Sequence, residues 1–132
     1  MPSFENIFTN KIEGKESIFE KASLLRSRMK SRIELGDFPS PDFIFDCREI
    51  IALFRDIPHE NVDRSARFSK SAKERLIKKI GGCSSCGGGV SGGSRQNAIL
   101  EIHHIIPREH GGDESVENGI SFCRNCHGEV HR

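Results

Sequence analysis

Two CxxC pairs, Cys83-Ser84-Ser85-Cys86 and Cys123-Arg124-Asn125-Cys126, stand 36 residues apart in a chain of 132. Two residues between paired cysteines let both sulfurs point at one ion at about 2.3 Å, and two such knuckles complete a tetrahedron. A structural Zn2+ on Cys83, Cys86, Cys123 and Cys126 therefore requires the chain to leave residue 86 and return to residue 123. Four thiolates fill that coordination sphere and leave no position for a substrate, so the site is scaffold. The redox use of CxxC wants a thioredoxin-like context, which is absent. The length suits one domain. Hydrophobic residues make up 35% and aromatics 7%, all of them Phe, so the core is small and a metal staple helps it fold. The remaining cysteine, Cys47, sits among apolar residues and reads as a small buried side chain.

The charges are unevenly spread, although the net charge is only +1. Residues 1–60 carry 9 basic and 11 acidic side chains, residues 61–95 carry 8 and 2, and residues 96–132 carry 3 and 6. The middle is a basic block (Arg64, Arg67, Lys70, Lys73, Arg75, Lys78, Lys79, Arg95), which next to a metal site suggests a polyanionic partner. A solvated helix face is the other reading of such a block. No run reaches the roughly 18 apolar residues needed to span a bilayer. The opening MPSFENIFTNKIEGKE lacks the basic-then-apolar layout of a secretion signal. A soluble, cytoplasmic protein with reduced thiols and no membrane partner is expected.

The first third reads as helical. Ile18, Ala22, Leu25, Met29 and Ile33 recur at three- and four-residue spacing on one face, Gly36 is a stop, and Phe38 to Pro41 a turn. A second helix is predicted from a capping box at Asp46-Cys47-Arg48-Glu49, carrying Ile50, Ile51 and Phe54 and closed by Pro58. Residues 57–70 read as a polar connector. A further capping box, Ser71-Ala72-Lys73-Glu74, predicts a short helix to Ile80 that stops at Gly81-Gly82. Gly87 to Ser94 lacks the Gly-Lys-Ser/Thr ending of a phosphate loop and reads as a flexible excursion. A strand from Ala98 to Ile102, a loop broken by Pro107 and Gly111-Gly112, a strand from Gly119 to Phe122, the second knuckle and a terminal helix complete the order.

Four of the six histidines form a pattern. His127 and His131, four apart on the terminal helix, share a face and suit two imidazoles meeting one metal at about 2.0–2.1 Å. His103 and His104 end a strand, where successive side chains point to opposite faces. One of them can join the metal while the other stays free as a base. Glu101 lies on the same strand face as His103 and could accept the other N–H of that imidazole. His59 and His110 have no partner in the pattern and read as surface residues.

Leu100-Glu101-Ile102-His103-His104-Ile105-Ile106-Pro107, followed by Gly111-Gly112, Asn118, CRNC and His127, resembles the HNH endonucleases. This is the ββα-metal (His-Me finger) nuclease family, in its variant with a four-cysteine zinc. The resemblance covers residues 83–132. It implies His103 and His127 as metal ligands, His131 as the third imidazole of a three-histidine branch, and His104 as general base. It also implies Asn118 as the residue that holds the base-bearing loop and Glu101 as an acidic residue behind the ligands. The fold expected is α+β: a ββα-metal finger stapled by the zinc site (83–132), a basic connector and helix (61–82), and a helical hairpin (1–60) for docking or dimerisation.

The resemblance implies metal-dependent hydrolysis of DNA, leaving 5′-phosphate and 3′-hydroxyl ends, and the expected partner is double-stranded DNA. The catalytic divalent ion could be Mg2+, Mn2+, Ni2+ or Zn2+. Arg64, Arg67, Lys70, Lys73, Lys78, Lys79, Arg95, Arg108 and Arg124 would contact phosphates. A homodimer or larger complex through the N-terminal helices is compatible with this. The alternative from another class is a non-catalytic zinc-ribbon module that binds nucleic acid or protein. It explains the cysteines and the basic block, and gives no reason for the histidines and Asn118 to occur together.

Overall fold

A computed structural model describes residues 14–58, 67–88 and 100–132. Among the described residues, four helices and one two-stranded sheet follow in the order α1 (Gly14–Glu34), α2 (Asp42–Leu53), α3 (Lys70–Ile80), β1 (Leu100–His104), β2 (Gly119–Cys123) and α4 (Arg124–Val130). Two 3-10 turns, Arg108–His110 and Val116–Asn118, lie in the loop between the strands. The architecture is α+β, with a ββα finger preceded by helices.

The apolar stripe of α1 does what its spacing implies. Ala22, Met29 and Ile33 are buried and Ile18 and Leu25 pack against the core they join. α1 lies against α2, whose buried face is Phe43, Cys47 and Ile50. α2 in turn packs on α4, and α3 packs on β2. Leu100, Ile105, Ile106, Ile120, Phe122 and Val130 from the finger complete the same cluster. The turn before α2 reaches the first knuckle, where the Ser40 N–H donates to Ser84 O at 2.9 Å.

Two helix starts differ from expectation. α2 begins at Asp42 after Pro41, not at Asp46. The Asp42 N–H finds the Ser40 hydroxyl at 3.2 Å, so the turn that ends in Pro41 already supplies a partner. Asp46 is buried mid-helix and pairs with Arg28 of α1 at 3.4 Å, tying the hairpin together. α3 is capped by Ser69 rather than Ser71: the Ser69 hydroxyl accepts the Ala72 N–H at 3.1 Å. Its stop at Gly81 is as expected.

β1 pairs antiparallel with β2, with Leu100 opposite Cys123, His103 opposite Ile120 and His104 opposite Gly119. The first strand thus runs two residues beyond Ile102 and carries both histidines inside the ladder. The predicted strand start at Ala98, the Gly-rich excursion beyond Gly88, and His59, Arg64 and Arg95 lie outside the described residues. Among the described residues, no helix is long and apolar enough to cross a membrane.

Candidate metal centres and the histidine groove

The two knuckles meet. Cys83, Cys86, Cys123 and Cys126 place their sulfurs within 4.8 Å of one another, and Cys86 Sγ lies 3.8 Å from Cys123 Sγ. A tetrahedron of sulfurs about 2.3 Å from an ion has edges of about 3.8 Å, so the spacing fits zinc. The knuckles also repeat one local geometry. Cys83 Sγ accepts the Cys86 N–H at 3.5 Å, and Cys123 Sγ accepts the Cys126 N–H at 3.4 Å. Burial raises the Cys83 thiol, but backbone N–H groups of Cys86, Cys123 and Ser85 outweigh it and the net shift is downward. Burial raises Cys86 and Cys126. A cation in the cluster would therefore favour ionising Cys86 and Cys126.

A second cluster brings together His103, His127 and His131. His103 Nδ1 and His131 Nε2 each lie 3.2 Å from His127 Nε2. Nitrogens bound tetrahedrally at about 2.0–2.1 Å would be about 3.3 Å apart, so these three could hold one divalent ion with positions to spare. At His127 the lone pair points at the other two rings. Glu101 Oε1 sits 2.7 Å from His127 Nδ1, so the N–H is on Nδ1 and the lone pair is on Nε2. Burial pushes the His103 imidazole well below its ordinary value, with His127, His131 and His104 adding to the effect, so it is neutral. Burial, then His127, also lowers His131. Glu101 serves a histidine as expected, but that histidine is His127 rather than His103.

His104 points to the other face of the strand. Its ring lies 4.4 Å from that of Phe68, and its Nε2 is 3.2 Å from Glu114 Oε2. Arg108 Nε lies 2.8 Å from the same oxygen. Gly119, directly opposite His104, is packed so closely that a Cβ there would come within 2.6 Å of Leu76 and 3.0 Å of both Ile102 and Phe68. All four histidines line one open groove of about 590 Å³ together with Arg67, Lys73 and Arg108, a volume in the range of ligand sites.

Asn118 is fully buried behind this groove. Its Oδ1 accepts the Ile106 N–H at 2.8 Å, and its Nδ2 donates to Ile106 O at 3.1 Å and Asp113 O at 3.0 Å. Its backbone oxygen accepts the Ile105 N–H at 2.9 Å. The segment just past His104 is thus tied to Asn118 by three bonds.

The basic residues divide. Arg67, Lys73 and Arg108 border the histidines, whereas Lys79 pairs with Glu34 at 2.5 Å and lines a separate groove with Arg75. Lys70 and Lys78 are exposed on α3, and Arg124 lies 3.8 Å from Glu101. His110, expected at the surface, is buried at 6% exposure and stacks on Phe54 with ring centroids 4.7 Å apart. Residues absent from the sequence reading are Glu114 and Phe68 at His104, and Arg26 and Lys30 from α1 at Asn118. For Arg26 and Lys30 the available signal is an i, i+4 basic pair beside an apolar stripe, which marks solvated helix faces equally well.

Comparison with known proteins agrees with this geometry. The HNH endonuclease family matches residues 83–132. The type IV methyl-directed restriction enzyme EcoKMcrA of Escherichia coli (strain K12) is 46% identical over 35 residues, which is 26% of this chain and 13% of that enzyme. The chain thus spans a small part of that relative's length. No solved structure matches. The two-knuckle scaffold and the histidines on β1 and α4 lie within residues 83–132, the part of the chain that matches the HNH endonuclease family.

Proposed function

We propose that this protein is a metal-dependent endonuclease that hydrolyses DNA phosphodiester bonds, with His104 as the general base. The observation that carries the reading is the division of labour among four histidines in one groove. Three converge nitrogen to nitrogen, while the fourth, on the opposite strand face, is held by a carboxylate instead.

A divalent ion on His103, His127 and His131 would neutralise charge on the phosphate and on the departing oxygen. The chain's own groups do the rest. An Nε2–H of His104 donating to Glu114 puts the ring's lone pair on Nδ1, the atom that takes the proton from water. The water oxygen forms the new bond to phosphorus, and the bond to the 3′-oxygen breaks. That oxygen leaves with the electron pair and takes a proton from solvent water, giving 5′-phosphate and 3′-hydroxyl ends. A neutral imidazole can perform such a transfer near neutral pH. Arg67, Lys73 and Arg108 would hold the neighbouring phosphates, and Asn118 would fix the loop that carries His104.

Plasmid digestion with Mg2+, Mn2+, Ni2+ or Zn2+ tests the reading on the zinc-loaded protein. His104→Ala should cut on the order of 100- to 10,000-fold more slowly while still binding metal and DNA. Equal cutting by that variant would remove His104 from the chemistry. No cutting by the wild type with any ion would favour a binding module.

A further inference from the structure

The HNH match begins at residue 83, yet two of the closest contacts to the Asn118 turn come from α1. Arg26 Nη1 donates to Asn118 Oδ1 at 3.1 Å, across 92 residues of sequence. One turn further along the helix, Lys30 Nζ donates to Val116 O at 2.9 Å and Gly119 O at 2.6 Å. The two cations therefore grip the turn at its side chain and on both sides of its backbone.

We propose that Arg26 and Lys30 are positioning residues of the nuclease site, so that the working unit extends beyond residues 83–132 to include α1. The proposal rests on the nuclease reading above for its link to catalysis.

An Asn amide offers two acceptor and two donor sites. At Asn118 the Arg26 bond fills the last one, beside Ile106 N–H, Ile106 O and Asp113 O. Without Arg26 the amide has one fewer bond opposing its rotation, and rotation would release both bonds to Ile106. Lys30 acts on the same turn by another route. Val116 and Gly119 flank Asn118, and Gly119 is the ladder partner of His104. A cation bridging their carbonyls holds the 3-10 turn Val116–Asn118 against the start of β2. Displacement here would move the His104 end of β1 relative to the His103, His127 and His131 cluster, which is anchored on the other strand face and on α4. The half-buried setting of both cations keeps water from substituting freely.

Arg26→Gln and Lys30→Met test this in the full chain, zinc-loaded, with Arg32→Gln as control. Arg32 lies on the same helix but pairs with Asp37 and Asp42, away from the turn. Two readouts are needed: plasmid cleavage with Mn2+, and amide hydrogen exchange of Ile105, Ile106 and Asn118. Expected is a fall in kcat of about tenfold to a hundredfold with KM little changed, since a displacement of about 1 Å can cost that much. Exchange should quicken at those three amides while Cys86 and Cys126 stay protected. Arg26→Lys, which keeps a cation, should recover part of both, and serves where Arg26→Gln folds poorly. Unchanged exchange and unchanged kcat in both variants would overturn the proposal, as would uniform quickening along the whole chain. Quickened loop exchange in a protein that cuts with no ion would uphold the clamp and refute the nuclease reading.

Discussion

Gly112 shows how little room the loop behind His104 leaves. A Cβ there would lie 1.8 Å from Ile106 O, 2.7 Å from Ile106 C and 2.9 Å from Asn118 Nδ2, and two of those atoms are backbone. Gly112→Ala must therefore push the loop away from the segment that Asn118 holds, at a cost of about 1–3 kcal/mol or more. The denaturation midpoint should fall with an unchanged slope, and an unmoved midpoint would mean that the loop closes differently. Lys30 gives a second residue-scale prediction. Burial lowers it from its ordinary 10.5 to about 8; Glu117 opposes the shift, Arg26 and Lys79 add to it, and Glu34 opposes it. Between about pH 8 and 10.5 the unfolded chain holds this proton while the folded chain does not. The penalty for burying the charge is thus complete below pH 8 and relieved as pH rises through that window, which raises stability. The gain has an upper bound of roughly 3.5 kcal/mol, at about 1.4 kcal/mol per pKa unit. Unfolding free energies of wild type and Lys30→Met at pH 7.5 and 10 should diverge in that sense. Parallel pH curves would show that Lys30 stays charged.

Helices and strands were legible where one physical signal dominates. The stripe of α1 and the thiol knuckles are of that kind, because burial and metal spacing leave few alternatives. Helix starts were not. Ser69 and Ser71 can each cap α3, and what decides between them is tertiary: the earlier start sets Phe68 against the His104 ring. In the same way Asp46 fits a capping box locally but is taken by Arg28 across the hairpin. At the site, ligand-type residues stood out by their chemistry, whereas Glu114, Arg26 and Lys30 act through contacts that spacing does not encode. The cap assignment is testable. Ser69→Ala should lose about 1 kcal/mol (range about 0.5–2) and Ser71→Ala close to nothing. The reverse order in chemical denaturation would restore the helix start to Ser71.

At the scale of the whole molecule, the finger and the helices share one hydrophobic cluster. Leu100, Ile105, Ile106, Ile120, Phe122 and Val130 on one side meet Ala22, Met29, Ile33, Phe43, Cys47, Ile50 and Phe54 on the other. A fragment of residues 83–132 would keep its four thiols, but would turn the apolar residues that face α1 and α2 to water. Burying each such side chain contributes about 1.5–3 kcal/mol, against a typical domain stability of about 5–15 kcal/mol. The zinc-loaded fragment is therefore expected to lack a cooperative thermal transition, while the intact chain melts in one step. The staple acts on the same unit from the other side. A zinc ion there would join residues 83 and 86 to 123 and 126, and the first knuckle is bonded to the turn before α2 through Ser40 and Ser84. Removing zinc with a strong chelator should lower the melting temperature of the entire chain and keep a single transition. Circular dichroism at 222 nm, which reports mainly α1 and α2, is the measurement. A helical transition that chelation leaves unmoved, or a fragment that melts cooperatively by itself, would mean that the two parts fold independently.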